Sequence, residues 1–310
     1  MKIAFVFPGQ GSQSVGMMDA WAGHAVVQSA LVEASQALDQ DLAALIASGP
    51  ADDLNLTTNT QPVMLAAAVA VYRAWIDAGG RTPDVVAGHS LGEYSALTAA
   101  GVFSLADAVR IVRVRADAMQ AAVPVGQGGM AAVLGLDDDV VRRVCEQAAQ
   151  GEVVEAVNFN APAQVVIAGS KAAVERACEL ARAQGAKRAL VLPVSAPFHS
   201  SLLKPAADVL STALAGVPMA VPAVPLINNV DVASPVDPDL IRDALVRQAW
   251  HPVRWVETIQ AMKAQGITHI VECGPGKVLN GLTKRIDRDL VGLAITDPDS
   301  LRVALETLQG

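Results

Sequence analysis

Val85-Val86-Ala87-Gly88-His89-Ser90-Leu91-Gly92-Glu93-Tyr94-Ser95-Ala96-Leu97 places a G-x-S-x-G between a short apolar run and an Ala/Leu stretch that ends at Gly101. Strand, tight turn and helix in that order form a nucleophile elbow. The serine sits on strained backbone with its oxygen exposed, and the glycines on either side let the chain pass closely. The helix N-terminus beneath it favours developing negative charge. Serine is also a preferred N-cap, so the competing reading is a Ser90 that merely caps the helix. A strand directly before it and a helix directly after it weigh toward the catalytic reading.

Strand-like and helix-like runs alternate on both sides of this elbow. Ile3–Phe7, the amphipathic stretch Val26–Ile46, Val63–Ala78, Val85–Ala87 and Leu105–Val123 together read as an α/β protein. Pro124-Val125-Gly126-Gln127-Gly128-Gly129 then breaks the helix. Beyond it come strand Met130–Leu134, helix Asp137–Gln150, strands Val153–Val157 and Gln164–Ala168, helix Lys171–Gln184 and strand Arg188–Val194. The order β-α-β-β-α-β predicts a small ferredoxin-like subdomain over residues 125–195, inserted into a large subdomain of residues 1–124 and 196–310. The alternation resumes with Leu226–Val230, helices around Leu240–Gln248 and Val256–Gln265, and strand His269–Cys273.

The chain has 310 residues, 52% of them hydrophobic and 17% charged, enough to bury a sizeable core. No apolar stretch approaches the roughly 20 residues of a membrane-spanning helix. Ile3–Phe7 is too short for a signal-peptide core and no small-residue cleavage site follows it. A formal net charge of -8 without a dense Lys/Arg cluster argues against nucleic acid. Cys145, Cys178 and Cys273 match no metal-site or disulfide spacing, which fits a reducing cytoplasm. An acidic partner would have to meet a local patch, for which Lys187-Arg188 and Lys284-Arg285 are the sparse candidates beside their ordinary role as solvated charge.

A serine nucleophile needs a histidine base, and the chain has five: His24, His89, His199, His251 and His269. His89 adjoins Ser90 on the elbow and should point away from its oxygen. His24, near a helix start, and His269, within a strand, read as structural. His199, in Val194-Ser195-Ala196-Pro197-Phe198-His199, lies where the chain re-enters the large subdomain, and loops of that kind face clefts. His251 in Trp250-His251-Pro252 is the runner-up. Phe7-Pro8-Gly9-Gln10-Gly11-Ser12-Gln13 follows the first strand without the ending of a phosphate-binding loop. In an α/β serine enzyme a loop in this position supplies the second oxyanion donor, so the two donors are assigned to the N–H groups of Gln10 and Leu91. On Leu105–Val123, Arg113 belongs to a charged face, whereas Arg115 has Ile111, Val112, Ala118 and Met119 as its helical neighbours. Such an arginine is either in an internal ion pair or waiting for a substrate carboxylate.

Pro8-Gly9-Gln10-Gly11-Ser12-Gln13, Gly88-His89-Ser90-Leu91-Gly92-Glu93, Arg115 with Met119-Gln120, Val157-Asn158-Phe159-Asn160, the His199 loop, Gln248 and Gly274-Pro275-Gly276-Lys277-Val278-Leu279 stand in one order. As a set they closely resemble the malonyl-CoA:acyl carrier protein transacylase family of fatty acid synthesis, related to the acyltransferase domains of polyketide synthases. The likeness runs nearly the whole chain. It implies an α/β-hydrolase-like core with parallel sheet, Ser90 as nucleophile, His199 as base, Gln10 and Leu91 at the oxyanion hole and Arg115 as clamp for the malonyl carboxylate. It also implies a dyad without an acid, in which the Gln248 main-chain carbonyl orients His199. Phe198, Met119, His89 and Asn160 are expected to line the pocket, with Phe198 crowding out an α-methyl group. Malonyl-CoA and an acyl carrier protein are the implied partners, and no metal or cofactor is implied beyond the coenzyme A thioester. The rival enzyme class is a serine carboxylesterase or thioesterase, which has no need of Arg115.

Overall fold

Ile3-Ala4-Phe5-Val6-Phe7 is buried along its whole length, because this strand lies inside a parallel sheet covered on both faces. The computed structural model describes residues 1–194 and 196–309. Among these the strands are β1 (Ile3–Phe7), β2 (Val85–Gly88), β3 (Gly128–Leu134), β4 (Val154–Ala161), β5 (Gln164–Ser170), β6 (Arg188–Val191), β7 (His269–Cys273) and β8 (Val291–Ile295). They form a mixed α/β architecture of two sheets, one parallel in the order β2-β1-β7-β8 and one antiparallel in the order β4-β5-β3-β6.

Alternate residues of β1 serve different cores, as the period of a strand requires. Phe5 and Phe7 face the helix Thr57–Asp77, with Phe5 edge-on to Tyr72 at 5.8 Å and tilted against Trp75 at 5.2 Å. Ala4 and Val6 pack on the other side with Trp255, Ile259 and Met262. The antiparallel sheet divides its residues similarly. Ala131, Val133, Val165 and Ile167 meet the helices Asp138–Ala149 and Lys171–Ala183, while Met130, Val166 and Ala168 join the core of the parallel unit.

The register Phe7↔Gly88 brings β1 and β2 to an end side by side. Their following loops, from Pro8 and from His89, therefore leave together at the carboxyl edge of the sheet, where open α/β folds place their sites.

The structure corrects three sequence readings. Val26–Ile46 is two helices, Ala25–Leu38 and Leu42–Ser48, because the chain turns through a left-handed Asp39 (φ 50) and Asp41 caps the second helix at the Ala44 N–H. Leu226–Val230 joins the sheet only through the bridge Val86↔Leu226, since Asn228 and Asn229 turn the chain inward toward the elbow. Strand β8 and the helices Lys204–Ala215, Val278–Ile286 and Pro298–Gln309 were not anticipated. Ser195, at the expected subdomain boundary, lies outside the described residues. Among the described residues no helix is long and apolar enough to cross a membrane.

Candidate active site

Ser90 sits at φ 54, a left-handed conformation that side-chain-bearing residues seldom adopt. Close packing forces the turn. A Cβ added at Gly92 would lie 2.1 Å from the Phe7 carbonyl oxygen, and one at Gly9 would lie 2.6 Å from that of His89. The elbow is thus pressed against the loop after β1. The cap of the helix Gly92–Ala99 is Leu91, without a side-chain bond, so Ser90 is not spent on capping. Its Oγ instead lies 2.7 Å from His199 Nε2.

His199 is itself at φ 65 and is buried. Its Nδ1 is 2.8 Å from the Gln248 main-chain oxygen. A carbonyl only accepts, so Nδ1 carries the proton and Nε2 presents a lone pair to the serine hydroxyl. Burial, followed by the charge of Arg115, pushes the imidazole down to about 3, and the ring is therefore neutral near pH 7. His251, the runner-up, lies in the adjoining groove, where its Nδ1 donates to the Arg247 carbonyl at 2.9 Å and its ring packs on Trp250. His24 packs on Trp21, and His269 bonds Thr268.

The Arg115 guanidinium is buried at the centre of the site. Nη1 donates to Gln61 Oε1 at 2.7 Å, and Nη2 donates to Ser90 Oγ at 3.1 Å and Gln248 Oε1 at 3.0 Å. Among the described residues it makes no ion pair, and its Nε has no acceptor. Its other neighbour is the Tyr94 ring, 5.5 Å away. Of the two readings open for this arginine, the internal ion pair is thus not formed. A desolvated cation held by neutral groups is a place for an anion.

Neither the Gln10 nor the Leu91 main-chain N–H has an acceptor among the described residues, and both lie on the abutting loops. Phe198 is buried next to His199. Met119 Sδ is 3.9 Å from Gln61 Nε2, behind Arg115. His89 does point away from Ser90, with Nε2 2.7 Å from Asn160 Oδ1 and its ring against Trp255. On the surface, Lys187, Arg188 and Arg285 converge on one cleft at the ends of β3 and β6, whereas Lys284 is exposed outside its lining.

Gln61 and Asn229 bond within the site and are not named by the sequence reading, which quotes Glu93 only as part of the elbow motif and gives it no role. Gln61 closes the polar stretch Thr57-Thr58-Asn59-Thr60-Gln61 ahead of Val63–Ala78, so its residue type carries no signal of its own.

Residues 4–290 match the acyl transferase domain family, which defines the class. The malonyl CoA-acyl carrier protein transacylase of Escherichia coli (strain K12) is 55% identical over 306 residues, 98% of this chain and 99% of that protein. An acyl-carrier-protein S-malonyltransferase from Burkholderia pseudomallei 1710b superposes with a TM-score of 0.97 at 67% identity, over 99% of this chain and 100% of the other. A malonyl-transacylase solved in complex with its type II PKS acyl-carrier protein gives 0.98 at 50% identity, over 99% and 100%. The chain belongs to the malonyl CoA-acyl carrier protein transacylase family.

Proposed function

We propose that the protein moves malonyl from malonyl-CoA to the phosphopantetheine thiol of an acyl carrier protein through an ester on Ser90, supplying fatty acid or polyketide chain elongation. The observation that carries this reading is the buried Arg115 guanidinium, 3.1 Å from the serine oxygen and bonded to neutral groups. Its planar fork suits a carboxylate bidentately. A hydrolase of neutral esters gains nothing from such a cation, which disfavours the esterase or thioesterase alternative.

In the first half-reaction, Ser90 Oγ forms a bond to the thioester carbon as its proton passes to His199 Nε2. The Gln10 and Leu91 N–H groups receive the oxyanion. When the carbon–sulfur bond breaks, the proton on His199 goes to the coenzyme A sulfur. The carrier thiol then runs the same steps in reverse, and serine-ester chemistry of this kind draws on no metal or redox group.

We read residues 125–195 as a ferredoxin-like subdomain inserted into an α/β-hydrolase-like unit of residues 1–124 and 196–310. Support comes from the order β4-β5-β3-β6 with its two helices on one face, and from the elbow that follows a parallel strand. For the carrier protein we favour the cleft of Lys187, Arg188 and Arg285, with Lys284 next in the chain. Buried, unpaired Cys145, Cys178 and Cys273 suit a reducing cytoplasm. Intact mass after incubation with malonyl-CoA tests the whole reading. A malonyl adduct should form and holo carrier protein should remove it, whereas an adduct lost to water at the same rate with or without the carrier would favour a hydrolase.

A further inference from the structure

Behind the serine and the arginine lies a buried carboxylate that the proposed chemistry does not use. Glu93, in the first turn of the helix Gly92–Ala99, is 1% exposed. Its Oε2 accepts two hydrogen bonds, from the Asn229 main-chain N–H at 2.9 Å and from Gln248 Nε2 at 3.1 Å. Each donor residue in turn holds the nucleophile's backbone. Asn229 Oδ1 accepts the Ser90 N–H at 2.8 Å, and Asn229 Nδ2 donates to the Gly88 carbonyl at 2.8 Å, so this side chain spans the elbow. Gln248 Nε2 also donates to the Ser90 carbonyl at 2.9 Å. The peptide groups on both sides of Ser90 are therefore tied to the two residues that Glu93 holds.

Gln248 has further duties. Its side-chain oxygen accepts Arg115 Nη2, and its main-chain oxygen accepts the His199 ring. A primary amide has nearly the same shape in either flip state, and only its neighbours choose between them. Here a guanidinium faces the oxygen end, while the Glu93 carboxylate and the Ser90 carbonyl face the nitrogen end. A flip would set donor against donor at Arg115 and acceptor against acceptor at Glu93.

We propose that Glu93 is a positioning residue for the transfer reaction: its carboxylate fixes Gln248 and Asn229, and through them keeps the Ser90 backbone and the Arg115 guanidinium in register. The proposal rests on reading Ser90 as the nucleophile and Arg115 as the carboxylate holder. Its competitor is a purely structural Glu93, an acid favourably placed in the first turn of a helix and nothing more.

The experiment compares wild type, Glu93→Gln and Glu93→Ala, with active sites counted by covalent labelling of Ser90 with a fluorophosphonate. Burial pushes the Glu93 carboxyl up to about 7, against the hydrogen bonds from Gln248 and Asn229, so the charge that strengthens both bonds is present only above that pH, where the comparison is made. Glutamine keeps the shape and can present an oxygen in place of Oε2, but it gives up that charge. Its kcat for malonyl transfer should fall roughly tenfold while KM for malonyl-CoA moves less than about threefold, and the preference for malonyl-CoA over acetyl-CoA should drop. Alanine removes the acceptor and should lose on the order of 10²-fold in kcat. A folded glutamine variant that melts earlier yet keeps kcat and the malonyl preference within about twofold overturns the proposal. If the alanine variant does not fold, the glutamine variant decides. If even wild type forms no malonyl adduct, it is the functional reading that fails. The rate of fluorophosphonate labelling, which requires no malonyl group, still tests the positioning role: it should be slower in Glu93→Gln, and an unchanged rate overturns the proposal.

Discussion

The turn that carries Ser90 and the turn that carries His199 share one feature, a side-chain-bearing residue at positive φ, 54° and 65° respectively. Such strain costs roughly 1–3 kcal/mol and persists only where the surroundings over-determine it. The surroundings differ in kind. Around Ser90 they begin within the motif itself, with β2, two glycines and the next helix in consecutive residues. Around His199 they are remote: the ring is held by a carbonyl 49 residues further on and a hydroxyl 109 residues back. One half of the proposed reacting pair is built by a local chain, the other by convergence, and the two should respond differently to substitution.

The largest effect should come from the local half. Ser90→Ala should abolish adduct formation and transfer, a loss on the order of 10⁴-fold or more, with an unchanged melting curve. A labelled adduct that survives in this variant would place the nucleophile elsewhere. On the remote half, His199→Ala should slow acylation by at least ~10²-fold. His251→Ala should not, because that ring is bound to the Arg247 carbonyl. Equal losses in the two histidine variants would erase the distinction drawn here. The His199 imidazole, pushed down to about 3 by burial, should show no NMR titration between pH 5 and 8. Its unfolded-state value is the ordinary one near 6.5, so below that pH the unfolded chain takes up a proton that the native state refuses. The stability contributed by His199 is thus present above about pH 6.5 and is lost as pH falls toward 3.

The same contrast explains what could be read in advance. The elbow, β1, β7 and the order of elements from Gly128 to Val191 were legible because each is a pattern in consecutive residues. The loop favours His199 over His251, but spacing alone leaves both open. Gln61, Asn229 and the bonding of Glu93 were not legible, since Gln61 and Asn229 stand among other polar residues and the partners of all three are remote in sequence. Leu226–Val230 misled for a related reason. Its apolar start has strand character, but the two asparagines that follow are drawn into the site instead of the ladder.

Arg115 is the next test, because it belongs to the remote half and yet should act on substrate and not on the fold. Arg115→Ala would leave a malonyl carboxylate desolvated without a partner, which costs about 2–5 kcal/mol, or roughly 30- to several-thousand-fold. Acetyl-CoA has no carboxylate to lose, and it should react as well or better once an unpaired cation is gone. The measurement is the ratio of kcat/KM for malonyl-CoA over acetyl-CoA, alongside a melting curve. A ratio constant within about threefold, under ~1 kcal/mol of discrimination, would make Arg115 a structural residue.

The smallest effect is expected at Phe198, the residue before His199, which is 8% exposed and shares a buried cluster with Leu91 and Met119. Two consequences of shortening it must be separated. Loss of an aromatic ring from a packed core lowers stability, by about 3–5 kcal/mol for truncation to alanine at a fully buried position, and should act on every substrate alike. Opening space beside the α-carbon should act only on a substrate that carries an extra methyl there. One methyl in a pocket is worth about 1–3 kcal/mol at most, so Phe198→Ser should raise the kcat/KM of methylmalonyl-CoA relative to malonyl-CoA by a factor toward the lower end of roughly 10–200. Phe198→Leu, which removes less volume, should fall between serine and wild type. The ratio of the two substrates reports the pocket, and the melting temperature reports the core. A falling melting temperature with an unchanged ratio would assign methyl exclusion to another wall and leave Phe198 to the packing around His199.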